Sequence, residues 1–334
     1  PSNHTEIFNL WYIRLSCLCL IGATQIACVE VKALEDLSAP GYWVAETPAL
    51  GGGRGQKRHL VPWELRLLVI RLQALSFSDW RRALVFYYEL AREARMELGR
   101  AINTKPNPDP VVIKLWKSRL KDLSIRVASA LVEMGDFAAA VRHLESLRKT
   151  GGGGEVEAEV VEEDAKVRFM LGLLYIRIGN FSAAKESLPP PPQPASPKPS
   201  DNPPTHQTAP TYFYTDHILT SLLPTALGLW EASITAWSTP PPSSSSLHPP
   251  PSTILERHNL AVSLVYTGRL SQARDILEDL LEEGNAFFAL TFNLCTLWEL
   301  VTDGDVTKDK KRDVAEKVLA AGGRREAGAA WFKM

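Results

Sequence analysis

A short phrase recurs along the chain: a glycine, two variable residues or an aromatic, and an alanine five positions after the glycine. It reads Gly135-Asp136-Phe137-Ala138-Ala139-Ala140, Gly179-Asn180-Phe181-Ser182-Ala183-Ala184 and Gly268-Arg269-Leu270-Ser271-Gln272-Ala273. Looser copies run from Gly22 to Ala27 and from Ser78 to Ala83, the second with serine in the glycine slot. Each copy predicts the corner of a helical hairpin. Glycine enters the left-handed region that ends a helix. Asp79, Asp136 or Asn180 can satisfy free N–H groups at the start of the next helix. The alanine lets the two helices cross closely. Upstream residues agree. A small residue lies seven positions before the glycine (Ala128, Gly172, Ala261) and a large one four before it (Leu131, Tyr175, Leu264). A degenerate copy, Gly228-Leu229-Trp230-Glu231-Ala232, reads as shortened.

This is the pattern of the tetratricopeptide repeat (TPR). It predicts an all-α chain, a TPR-like α-solenoid of about six to seven helical hairpins with proline-rich disordered insertions. An ordinary helical bundle with chance spacing is the alternative; three copies that match in several slots at once argue against it. The breaks in the helical pattern divide the chain. Residues 1–188 read as N-terminal hairpins with loops at 40–62, 103–110 and 151–163. Residues 189–210 form a proline-rich linker, 211–239 the degenerate repeat, 240–253 a Pro/Ser-rich linker, and 254–334 the C-terminal hairpins and a capping helix. Proline at this density cannot continue a helix, and these segments have little to bury. Pro194-x-x-Pro197 reads as linker rather than as an SH3-type ligand. In the last hairpin the second helix is expected from about Asp309, mostly charged, as a terminal repeat requires.

Composition excludes several functions. With 37 basic and 38 acidic residues the net charge is -1, which argues against a nucleic-acid partner. The four cysteines form no CxxC pair, and no histidine lies at a zinc-like spacing from them, so no metal site and no cofactor are expected. Cys17 and Cys28 read as buried thiols in a reducing-compartment pattern. The apolar stretch from Leu15 to Val29, bounded by Arg14 and Glu30, is shorter than the ~20 residues a spanning helix needs. It reads as a buried hairpin with no transmembrane segment. Gly51-Gly52-Gly53-Arg54-Gly55-Gln56-Lys57 lacks the adjacent Gly-Lys-Ser/Thr of a phosphate loop. With no catalytic constellation, the chain is not read as an enzyme.

Binding is left. The first helices of such hairpins line a concave face, and the equivalent slots hold Leu65, Leu68, Leu72 and Leu75, then Phe169, Leu173 and Ile176, then Leu255, Val262 and Val265. His258, Lys166 and Arg177 are the basic members. Grooves that clamp a peptide C-terminus carry Lys, Arg and Asn there; an apolar face suits a permanent partner or a docked helix better. The alternative is that neighbouring repeats or inserted loops cover these residues.

Longer phrases are more specific than the repeat. They are Leu10-Trp11-Tyr12-Ile13-Arg14-Leu15-Ser16; Arg54-Gly55 followed by Val61-Pro62-Trp63-Glu64-Leu65-Arg66; Leu115-Trp116-Lys117-Ser118-Arg119-Leu120; Asn259-Leu260-Ala261-Val262-Ser263-Leu264; and Phe292-Asn293-Leu294-Cys295-Thr296-Leu297-Trp298-Glu299-Leu300. In this order the chain resembles the C-terminal TPR region of the transport protein particle (TRAPP) complex subunit 12 family. The resemblance implies a non-catalytic scaffold subunit of a vesicle-tethering complex, acting in ER–Golgi transport and autophagy. It implies other TRAPP subunits as direct partners, a Rab-type GTPase as an indirect one, and a cytoplasmic place peripheral to ER–Golgi or Golgi membranes. The exchange surface belongs to other subunits, so no active-site residue transfers. The chain departs from the family in its proline-rich insertions, around Ala232, and at Pro189, which cuts off the helix after Ala184. A stand-alone TPR adaptor or co-chaperone, and the TPR part of an enzyme whose catalytic domain precedes Pro1, remain the rival classes.

Overall fold

The computed structural model describes residues 3–45, 57–103, 109–150, 158–188, 211–239, 253–302 and 304–320. Among these the chain is all-α apart from one short ladder, and it forms antiparallel TPR-like hairpins. They are α1 (His4–Leu20) with α2 (Thr24–Glu30), α3 (Trp63–Phe77) with α4 (Trp80–Asn103), and α5 (Pro110–Glu133) with α6 (Phe137–Thr150). Then come α7 (Ala158–Ile178) with α8 (Phe181–Glu186), α9 (Thr211–Ala226) with α10 (Trp230–Ser238), α11 (Ile254–Tyr266) with α12 (Leu270–Glu282), and α13 (Phe288–Val301) with α14 (Gly304–Ala320). The chain divides into two compact units, 1–147 and 148–334.

The corners turn where the sequence places them. Gly22, Gly135, Gly179 and Gly268 have φ of 79°, 77°, 84° and 77°. At Gly135 the amides of Gly135 and Asp136 return to the carbonyls of Val132 and Leu131, both at 3.0 Å, which closes the helix end. The next helix is then capped: Asp136 Oδ1 accepts from the Ala139 amide at 2.9 Å, and Asn180 and Asp79 do the same at their corners. Ala27, Ala83, Ala140, Ala184 and Ala273 are all buried.

Ser78 takes φ 52° without being glycine. A left-handed conformation costs an L-residue about 1–2 kcal/mol, part of which glycine returns as unfolded-state entropy. Ser78→Gly should therefore stabilise the protein by up to about 1 kcal/mol, read as a rise in the urea midpoint with unchanged slope. A lower midpoint would show that the serine is not strained.

The degenerate corner requires a correction. Gly228 turns the chain at φ 72°, and the slot five residues on is Ser233, not Ala232. Ala232 is exposed and Ser233 is buried. The corner spacing is thus complete, with serine in place of alanine, although α10 spans only 9 residues. The Ser233 hydroxyl lies 2.9 Å from that of Ser263 on α11 and 2.6 Å from that of Thr225 on α9. Trp237 Nε1 donates to Thr225 Oγ1 at 3.1 Å. The polar side chain is thus satisfied within the helix crossing, as burial requires.

In the first unit, Leu15, Ala27, Cys28, Val31, Val61, Leu65, Val69 and Leu72 form one core. The N-terminal hairpin is only half buried, however. Ile7, Leu10, Ile13 and Leu20 of α1, Ile21 just after it, and Ile26 and Val29 of α2 face outward and are exposed. Cys17 is exposed as well, contrary to the expected buried thiol, whereas Cys28 is buried. Segment 40–62 is not all loop. Strands β1 (Trp43–Ala45) and β2 (Lys57–His59) pair antiparallel, Trp43 opposite His59. His59 fixes this ladder: its Nδ1 accepts from the Val61 amide at 3.0 Å, which leaves Nε2 to donate to the Leu37 carbonyl at 2.8 Å.

In the second unit, Leu264, Ala273, Leu277, Leu280, Leu290, Leu294, Leu297, Trp298, Val314 and Val318 form the core. α8 is short, as Pro189 predicts. α14 begins at Gly304, five residues before the expected start, and buries Thr307, Lys311, Val314 and Val318 along one stripe. Lys311 Nζ meets Glu299 Oε1 at 2.6 Å. Both proline-rich segments, residues 51–56 of the glycine-rich run and the Pro194–Pro197 motif lie outside the described residues. No helix among the described residues is long and apolar enough to cross a membrane.

Candidate partner-binding face

The four slots expected on α3 divide between two faces. Leu65 and Leu72, seven residues apart, point into the core at 0% and 1% exposure and are not available to a partner. Leu68 is half-buried and Leu75 is exposed. The groove face of α3 is formed instead by Glu64, Leu67, Leu68 and Arg71, at helical spacings of three, four and seven. They share an open cleft of 390 Å³ with Tyr12 and Ser16 of α1 and with Leu115, Ser118, Arg119, Asp122 and Arg126 of α5. First helices of successive hairpins thus line one groove in the first unit, as a TPR arrangement requires.

The groove is not the purely apolar surface expected from sequence. Trp63 and Trp116 meet edge to face, centroids 5.5 Å apart. The Arg119 guanidinium lies 5.0 Å from the Trp63 ring and 4.7 Å from the Trp116 ring, and Nη2 bonds Glu64 Oε1 at 3.0 Å. Arg126 Nε donates to Asp122 Oδ2 at 2.8 Å. Burial pushes the Tyr87 hydroxyl upward in pKa, opposed by the neighbouring Arg126 and Arg71 guanidiniums. Tyr12 and Leu115 supply exposed apolar surface at 38% and 46%. A second cleft, of 420 Å³, borders α3 and α4 and contains the bidentate Arg66–Glu93 pair at 2.9 and 2.6 Å.

In the second unit, Phe169 and Ile176 are half-buried, and Leu173 is exposed at 36%. Lys166 and Arg177 are exposed beside them. On α11, Leu255 is exposed and Val262 and Val265 are half-buried, Val265 against the core. His258 is a core histidine rather than a groove residue. It is buried, packs edge-on to Phe287 and has Nε2 3.2 Å from Asn293 Nδ2. Among the described residues no three His, Cys, Asp or Glu side chains gather as a metal ligand set.

Burial lowers the pKa of His258, and burial together with Arg66 lowers that of His59. Both rings are therefore neutral in the fold, while the unfolded chain takes up protons near the ordinary value of about 6.5. Unfolded chains then bind more protons, so stability is full above about pH 6.5 and falls as the pH drops from there towards the lowered folded values. The melting temperature should be lower at pH 5 than at pH 7.5. His258→Gln should flatten this slope; an unchanged slope would place the proton uptake elsewhere.

No family model matches the chain. Two curated proteins are similar to it, both described as trafficking protein particle complex subunit 12. The Homo sapiens protein is 23% identical over 194 residues, 55% of this chain and 25% of that protein. The Mus musculus protein is 22% identical over 196 residues, 56% of this chain and 23% of that protein. The matched part therefore spans about a quarter of these relatives' length. A tetratricopeptide repeat protein of known structure from Parabacteroides merdae superposes with a TM-score of 0.46 at 13% identity, over 98% of this chain and 96% of the other. That likeness is too loose to add to the hairpin geometry.

Proposed function

We propose that the chain is a non-catalytic TPR scaffold subunit of a vesicle-tethering complex of the TRAPP type. It acts there in ER–Golgi transport and autophagy, where the complex as a whole activates a Rab-type GTPase. The observation that carries the reading is the groove of the first unit: α1, α3 and α5 turn Tyr12, Leu68, Leu115 and three arginines into one open cleft, a surface suited to holding protein rather than to chemistry. The two curated relatives supply the choice of complex. No residue is given a catalytic role.

The test is affinity purification of the chain from its native cell, followed by identification of co-purifying proteins. TRAPP subunits in near-stoichiometric amount are expected. Recovery of chaperones alone, or of no partner, would favour the stand-alone adaptor and sink the tethering role.

A further inference from the structure

Resting on the reading of this groove as the protein-binding face, its charge narrows what it can hold. The lining carries three guanidiniums, Arg71, Arg119 and Arg126, against two carboxylates, Glu64 and Asp122. Glu64 is taken up by Arg119, which the two tryptophan rings also hold in place. Asp122 is taken up by Arg126 one turn along the same helix. Arg71, exposed on α3, makes no ion pair or side-chain hydrogen bond among the described residues. Arg71 of α3 and Arg126 of α5 line the same cleft. The Arg126–Asp122 contact is a half-buried same-helix pair, and the lining still holds one guanidinium more than it has carboxylates. The same cleft carries the exposed apolar surfaces of Tyr12 and Leu115.

We propose that the groove recognises an internal acidic–apolar segment of a partner protein. A side-chain Asp or Glu carboxylate sits between Arg71 and Arg126, and a neighbouring large apolar side chain packs on Tyr12, Leu68 and Leu115. A guanidinium matches a carboxylate in plane and charge. The occupant brings the missing negative charge, in a chain whose overall charge is otherwise balanced.

The experiment is selection from a random-peptide library displayed without a free C-terminal carboxylate, against the full chain and its Arg71→Glu and Arg71→Lys variants. Circular dichroism checks each variant's fold. Selected peptides should be enriched in Asp or Glu next to Leu, Phe or Trp. A synthetic, amidated representative should bind Arg71→Glu at least roughly tenfold more weakly, bind Arg71→Lys with a smaller loss because the charge stays and the planar fork goes, and weaken with added salt. Absence of selection, peptides without acidic enrichment, or equal binding to Arg71→Glu would each overturn the proposal. The two readings fail separately. Acidic peptides that depend on Arg71, with no TRAPP subunits co-purifying, would keep the groove chemistry and remove the complex. TRAPP subunits co-purifying with a chain that selects no acidic peptide would do the reverse.

Discussion

Glutamate at Tyr12 and Leu115 together is expected to release the chain from its partners while its helix content stays unchanged; glutamate at Leu72 alone is expected to unfold the first unit. Tyr12 and Leu115 are exposed on the groove, so a carboxylate there remains hydrated in the free chain and costs the fold little. In a complex the same positions would be desolvated. Anchors of this kind are worth about 2 kcal/mol or more each when lost, which is a loss of affinity on the order of thirtyfold per residue. Leu72 is 1% exposed among Leu15, Leu65 and Val69. A carboxylate there has no partner and no water, a class of substitution whose cost exceeds about 4 kcal/mol. Co-precipitation and a circular dichroism melt on each variant decide the matter. Undiminished co-precipitation by a folded Tyr12/Leu115 double variant would remove the groove from the interface. A stable Leu72→Glu protein would show that the core is drawn in the wrong place.

The second large effect is expected at the helix crossings. Ala273→Leu should destabilise by about 1–3 kcal/mol, because α12 meets α11 there with no room for three further carbons. Ala232→Leu, on the exposed face of α10, should change stability by less than about 0.5 kcal/mol. The pair checks the repeat frame directly: comparable melting temperatures for the two variants would mean that the alanine slot is not the crossing point.

The corners were legible in the sequence because a left-handed turn followed by a close crossing admits few residues. Gly22, Gly135, Gly179 and Gly268 could be placed to the residue, and so could the caps at Asp136 and Asn180. Ser233 escaped because a search for alanine does not see a serine whose hydroxyl finds a partner on another hairpin. The groove was harder. α3 is apolar on most of its circumference, so periodicity alone could not tell its core face from its groove face, and Leu65 and Leu72 were assigned to the wrong one. A signal was nonetheless present: Glu64 and Arg71 stand seven apart on α3, as do Arg119 and Arg126 on α5, which marks one polar stripe on each helix. The three-residue strands on either side of residues 46–56 had no comparable pattern, since Lys57-Arg58-His59 carries no alternation.

The hydroxyls at Ser233 and Ser263 bear on how such a chain assembles. Its hairpins are near copies, and alanine corners offer neighbouring helices almost interchangeable seats. A hairpin that docked out of sequence during synthesis would meet little steric objection from an alanine seat. The α10–α11 seam differs: if α10 settled on a seat lacking the matching hydroxyl, Ser233 would keep Thr225 of its own hairpin but lose Ser263, at about 0.5–1.5 kcal/mol. One hydrogen bond thereby makes these two repeats better matched to each other than to an alanine seat, and biases a modular chain against skipping or swapping a module as it folds.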